Sequence, residues 1–76
     1  NLSLIDSFKF SEEDFNNIFK GSAIYRIGYQ RWLRNIAVGL GNAPKNKEVI
    51  EVLKSKLDSS TDLVKKHITW ALDQHK

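Results

Sequence analysis

Arg31, Arg34 and Asn35 are the side chains of this chain best placed to do chemistry, because three- and four-residue spacings put all three within one wedge of a helix. Guanidinium groups so placed can each take two phosphate oxygens, and the neighbouring amide can bond sugar or phosphate. Arg34 and Asn35 have a second reading, as polar ties between adjacent helices; Arg31 is read as a ligand group. Arg26, Lys45 and Lys47 join the set, because each lies near a helix start or in a connecting loop, where a flexible base can meet a phosphate beside free backbone amides. Lys65 and Lys66 follow Asp62 by three and four residues, the spacing of a solvated, ion-paired face. Lys54 and Lys56 rank below them. Tyr25 is the aromatic expected to be accessible enough to stack on a base. Trp32 falls in an apolar stripe, and Trp70 stands at the edge of one, where it could cover the open end of the helical stack.

Other chemistries find no residues. The chain has two histidines and no cysteine. His67 and His75 are not spaced as a helical zinc pair, and nothing completes a coordination shell; His67 reads as a hydrogen-bonded packing residue. The serines fall in caps and turns and the acids mostly at helix starts, so no nucleophile, base and orienting group come together. Gly39-Leu40-Gly41 comes too late in its helix for a phosphate loop and reads as a close-packing site followed by a cap.

The elements that carry these residues follow from periodicity. Ser11 with Asp14 makes a short-armed capping box, flanked by Phe10 and Phe15 in the positions of a hydrophobic staple. Phe15, Ile18 and Phe19 form an apolar face, and Lys20-Gly21 ends that helix. Leu2, Leu4, Ile5 and Phe8 predict a short helix before it. From about Tyr29 to Gly41, the residues Tyr29, Trp32, Leu33, Ile36 and Leu40 recur with helical period. Gly41-Asn42-Ala43-Pro44 stops the helix, with Gly41 read as a left-handed cap. Asn46 caps a helix with Val49, Ile50, Leu53 and Leu57 inward. A turn at Ser59-Ser60-Thr61 leads to a last helix ending about Gln74, with Val64, His67, Ile68, Ala71 and Leu72 inward.

Two of these helices match each other. Setting Leu40 on Leu72 aligns Gly39 with Ala71, Ile36 with Ile68, Arg34 with Lys66 and Trp32 with Val64. Such an offset is what helical-repeat units show when each buries its stripe on its neighbour. The expected fold is all-α, about five helices in one compact domain: a helical lead-in over 1–28, then antiparallel helical repeats over 29–76.

Charge also divides the chain, within the lead-in. Its formal net charge is +3, but through Phe19 one base faces four acids, whereas from Lys20 onward eleven bases face five acids. The basic half is the repeat half, which favours a polyanionic partner. At 76 residues, the chain buries only about 60% of the surface its unfolded form exposes, so a small helical core with short loops is economical. No long apolar run suggests a membrane span or a leader, and the chain reads as soluble, cytoplasmic and monomeric. Starting at Asn1 with no methionine, it reads as a piece of a longer protein.

Two phrases point to a family. Gly21-Ser22-Ala23-Ile24-Tyr25-Arg26 is followed by Leu33-Arg34-Asn35, four small or aliphatic residues and Leu40-Gly41-Asn42; further on stands His67-Ile68-Thr69-Trp70-Ala71-Leu72. This succession closely resembles the C-terminal region of epoxyqueuosine reductases, and the opening Leu2-Ser3-Leu4-Ile5 and Ser11-Glu12-Glu13-Asp14-Phe15 fit its lead-in. The resemblance implies a HEAT-like domain within a tRNA-modifying enzyme that reduces an epoxide on a modified wobble nucleoside. It implies cobalamin and two four-iron four-sulfur clusters on upstream domains, with tRNA, through its anticodon stem-loop, and those catalytic domains as partners. Without cysteine this segment cannot hold such clusters, so its expected part is docking, with Arg26, Arg31, Arg34, Asn35, Lys45 and Lys47 as contacts. The alternative is a protein-interaction domain, or an intramolecular brace, that does not touch RNA.

Overall fold

The computed structural model describes residues 3–76, which form six helices and no strand among them. They are α1 (Leu4–Phe8), α2 (Glu12–Phe19), α3 (Ala23–Ile27), α4 (Tyr29–Asn42), α5 (Lys47–Ser55) and α6 (Asp62–Gln74). Leu2 of the expected first helix lies outside the described residues. Ser11 and Asp14 close the reciprocal capping box and Asn46 caps α5, as the sequence suggests, and Ser3 and Thr61 cap α1 and α6 by accepting from Asp6 N and Val64 N. Phe10 stacks on Trp32 at 5.7 Å and Phe15 packs tilted against the same ring at 5.1 Å, so the staple runs through a third ring.

Two features correct the sequence reading. The first is α3, a sixth helix within the stretch assigned to a connecting turn; at five residues it is too short to show a period. The second is Gly41. It is helical and buried, and α4 continues to Asn42 before an extended Ala43 ends it. The left-handed glycines are Gly21 at φ 86° and Gly28 at φ 90°, one on each side of α3. Gly41 is instead required by proximity, since a Cβ there would lie 2.4 Å from the Trp70 ring and 3.0 Å from Ala71 Cα.

That approach shows how the main helices run. Thr61 at the start of α6 donates to Gln30 at the start of α4, and His75 at the far end of α6 donates to the Leu40 carbonyl near the far end of α4. α4 and α6 therefore lie parallel. α5 runs back the opposite way, packed on α1 and α6: Asn46, its cap, shares a groove with Leu40 and Ala43, while Lys56 at its other end reaches Tyr29. Consecutive helices are antiparallel, and the two helices that share the sequence match are parallel.

The core is drawn from four helices: Phe8 of α1; Leu33, Ile36, Ala37 and Leu40 of α4; Val49, Val52 and Leu53 of α5; and Val64, Ile68 and Ala71 of α6. Ala37 and Val52 were not anticipated. Leu57, Leu72 and Ile50 are only partly buried. On α6 the buried line is Val64, Ile68, Ala71 and His75, and it places Leu72 at its flank. His75 is 3% exposed; its Nε2 donates to Leu40 O at 2.7 Å, and its Nδ1 has no partner.

The lead-in is fastened by rings. Phe15 packs on Phe19, Tyr25, Tyr29 and Trp32. Lys56, ranked low from sequence, is half-buried here and donates to the Phe10 carbonyl at 2.8 Å and the Tyr29 hydroxyl at 3.0 Å. Tyr29 donates to the same carbonyl. The molecule measures 38 × 28 × 17 Å, and its thinnest dimension is less than two helix diameters of about 10–12 Å. A body so thin exposes at least one side of every helix.

Candidate functional site

The start of α4 differs from that of every other long helix in the molecule. α2 begins with a capping box and three acids in its first turn, α5 with Asn46 and Glu48, and α6 with Thr61 and Asp62. α4 begins at Gly28 with no side-chain cap and no acid in its first turn. The positive end of a helix dipole is thus left uncompensated, and the first amides have no side-chain acceptor. Arg26, in the last turn of α3, precedes this end by three residues, and exposed Arg31 lies just inside it.

Arg34 and Asn35 continue the same side of α4. The guanidinium of Arg34 donates from Nε and Nη2 to Asn35 Oδ1 at 3.3 and 3.2 Å. The two are thus tied to each other, not to a neighbouring helix, and the remaining guanidinium donors stay open to solvent or a ligand. One turn further, Val38 enters a groove between α4 and α6 whose other walls are Lys66, His67 and Trp70, with a volume of about 420 Å³. His67 Nδ1 donates to the Leu63 carbonyl at 2.8 Å, so it is hydrogen-bonded as expected, but it is only partly buried and does not take the inward position the sequence suggested. Its ring nevertheless lines the groove. Trp70 is 39% exposed and walls the groove instead of sealing an end of the stack.

The bases are free of acids. Among the described residues the one ion pair joins Lys76 to Asp73 at 3.0 Å. The expected pairing of Asp62 with Lys65 and Lys66 is therefore not made, and Lys66 stands unpaired beside the groove. Lys45 and Lys47 are exposed at the opposite end of α4, in the loop before α5 and in its first turn. Eleven residues of helix, roughly 16 Å at 1.5 Å each, separate Arg31 from Asn42. The amides at the start of α5 are not waiting for a phosphate, because Asn46 Oδ1 accepts from Glu48 N at 2.7 Å and Glu48 brings its own negative charge.

The structure thus brings together Arg26, Arg31, Arg34 and Asn35 around the first half of α4, and leaves Lys45 and Lys47 as a separate pair. Sequence reasoning did not single out Val38 as a groove residue, and it set Lys66 outside the preferred contacts, although Lys66 lines the same groove. A signal for Lys66 was present, since it is the residue that the internal match sets against Arg34. Tyr25 is 42% exposed as expected, although one face of its ring stacks on Phe15 at 6.2 Å. Among the described residues no group of three His, Asp or Glu side chains could hold a metal ion, and no helix is long and apolar enough to cross a membrane.

No family model and no solved structure matches the chain. Curated relatives do. It is 48% identical over 75 residues to an epoxyqueuosine reductase of Pseudomonas aeruginosa, spanning 99% of this chain and 21% of that protein. The epoxyqueuosine reductase of Shewanella oneidensis is 51% identical over 75 residues, 96% of this chain and 19% of its own length. That of Escherichia coli is 49% identical over 71 residues, 93% of this chain and 18% of its own. The chain therefore spans about a fifth of the length of these relatives. With about half of its residues identical to theirs over nearly its whole length, it is homologous to a domain-sized portion of the epoxyqueuosine reductases.

Proposed function

We propose that this chain is the HEAT-like C-terminal domain of an epoxyqueuosine reductase and that it docks the anticodon stem-loop of tRNA against catalytic domains elsewhere in the same polypeptide. The observation that carries the reading is the start of α4: a 14-residue helix with no cap and no first-turn acid, bracketed by unpaired Arg26 and Arg31 and continued by Arg34. Backbone amides, the helix dipole and guanidinium groups all favour a phosphate there. Lys66 extends this surface across the groove, and Trp70 and His67 offer ring surface to an unstacked base. Lys45 and Lys47 supply a second contact further along the stem.

The repeat reading has its own support. α4 and α6 are related by the internal sequence match, run parallel and pack directly on each other, with Gly41 close against Trp70 and Ala71, while α5 runs antiparallel to both. Stacked repeat units place equivalent helices side by side in this way. The contribution to catalysis is orientation, which removes part of the entropic cost of bringing the nucleoside to the reacting centre. The cobalamin and the two four-iron four-sulfur clusters would sit on the remaining four fifths of the polypeptide. The thiolates that clusters require do not exist here.

Binding of tRNA measured against salt tests the reading. If Arg26, Arg31, Arg34 and Lys66 each neutralise one phosphate, log affinity should fall against log salt with a slope near −3.6, about two decades for a fourfold rise in salt. Arg31→Glu should weaken binding and flatten the slope by about one unit. Wild-type and Arg31→Glu proteins binding alike at low salt would place the RNA elsewhere.

A further inference from the structure

α3 is a helix with no buried residue, yet three of its five side chains are large and apolar. Ile24 is 38% exposed, Tyr25 42% and Ile27 44%. So short a helix cannot support itself, because the cost of nucleating it is repaid only over several further turns or by tertiary burial. Within this chain its support is the stacking of Tyr25 on Phe15, a bond from Ser22 Oγ to the Phe19 carbonyl and the turn bonds at its ends. At about 100° per residue, Ile24 and Ile27 share one side of α3, and both Tyr25 and Arg26 point away from it. Left-handed Gly21 and Gly28 set the chain direction at each end, and a Cβ at either would meet nothing within 4 Å. The helix rests along α2 and the start of α4, with its isoleucine pair turned away from the Tyr25 stack and left partly exposed.

We propose that the Ile24 and Ile27 face of α3 is where this domain docks on the rest of its own polypeptide, against an apolar surface of the neighbouring domain. The proposal rests on the reading of the chain as one domain of a longer reductase. The relatives are about five times its length, so a tethered partner is present at high effective concentration. RNA fits this face poorly, since aliphatic side chains offer phosphate neither charge nor donors. Arg26 leaves α3 on another side, so one short helix separates the cationic surface from the apolar one. A matched pair of exposed β-branched residues on an otherwise unsupported helix is the kind of patch that marks a protein contact.

The test is hydrogen exchange on the RNA-free full-length protein, with the Ile24→Glu/Ile27→Glu pair and the milder Ile24→Val/Ile27→Val pair beside wild type. Amides of residues 23–27 should be protected in wild type. The glutamate pair should raise their exchange by about tenfold or more while α4 and α6 keep their protection, and the valine pair should fall between. Unprotected amides at 23–27 in the wild-type full-length protein overturn the proposal. So does protection that appears only when tRNA is added, which would make this an RNA surface, or protection lost on dilution, which would make it a contact between copies. The tRNA salt slope is read separately on Arg31→Glu, so loss of the RNA reading leaves this result standing, and the converse holds.

Discussion

Replacing Gly41 and Gly39 by alanine, one at a time, should move stability in opposite directions, although the two lie in the same helix two residues apart. A Cβ on Gly41 would sit 2.4 Å from Trp70 Cζ3, 3.0 Å from Trp70 Cε3 and 3.0 Å from the Cα of Ala71. The ring could swing outward into its partly open groove. The backbone of α6 cannot, so α4 and α6 must separate. Overpacking of this kind costs about 1–3 kcal/mol, and removing a helical glycine returns up to about 1 kcal/mol, which leaves a net loss of up to about 2 kcal/mol. A Cβ on Gly39 meets the Leu4 side chain alone, at 3.0 Å from Cδ1, and that side chain is exposed and free to turn. There the propensity gain of up to about 1 kcal/mol should dominate. In a domain of this size each kcal/mol moves the melting temperature by about 4–8 °C. Thermal unfolding followed by circular dichroism at 222 nm should show Gly41→Ala melting below wild type, by up to about 8–16 °C, and Gly39→Ala a few degrees above. Equal gains at both positions would refute the close contact of α4 with α6 at Gly41.

Leu40→Ala, at a fully buried position, should cost about 2–5 kcal/mol, with Leu72→Ala well below it because that side chain sits at the flank; equal losses in urea melts would contradict this. Lys56→Met should cost on the order of 1 kcal/mol by removing two hydrogen bonds that tie the end of α5 to the lead-in and to α4, visible as faster exchange in α1 and α2 than in α6. Arg31→Glu, at an exposed site, should change stability by no more than about 0.5 kcal/mol while weakening tRNA binding; a large fall in melting temperature would show a structural role.

Periodicity and caps made five of the six helices legible, because the signals are local: Ser11 and Asp14 bond each other across one turn, and the α4 stripe repeats over 14 residues. The candidate site was half legible for the same reason, since helix geometry alone puts Arg31, Arg34 and Asn35 on one side. Composition also determined that no cluster can bind here, because the ligand type is missing.

Tertiary structure decided the rest. α3 carries no periodic signal and exists because flanking left-handed glycines and Phe15 hold it. Gly41 looks like a cap in sequence and is a spacer, because a residue 29 positions away occupies the room its Cβ would need. Lys56 gains its role from a carbonyl 46 residues distant, and His75 from one 35 residues distant. Which bases stand together was equally out of reach: Lys47 lies nearer Arg34 in sequence than Lys66 does, yet Lys47 is carried to the far end of α4. The parallel return of α6 brings Lys66 to the groove beside Val38, one turn from Arg34. Local spacing fixes what a helix presents, and only the packing of one helix on another fixes what those presented groups meet.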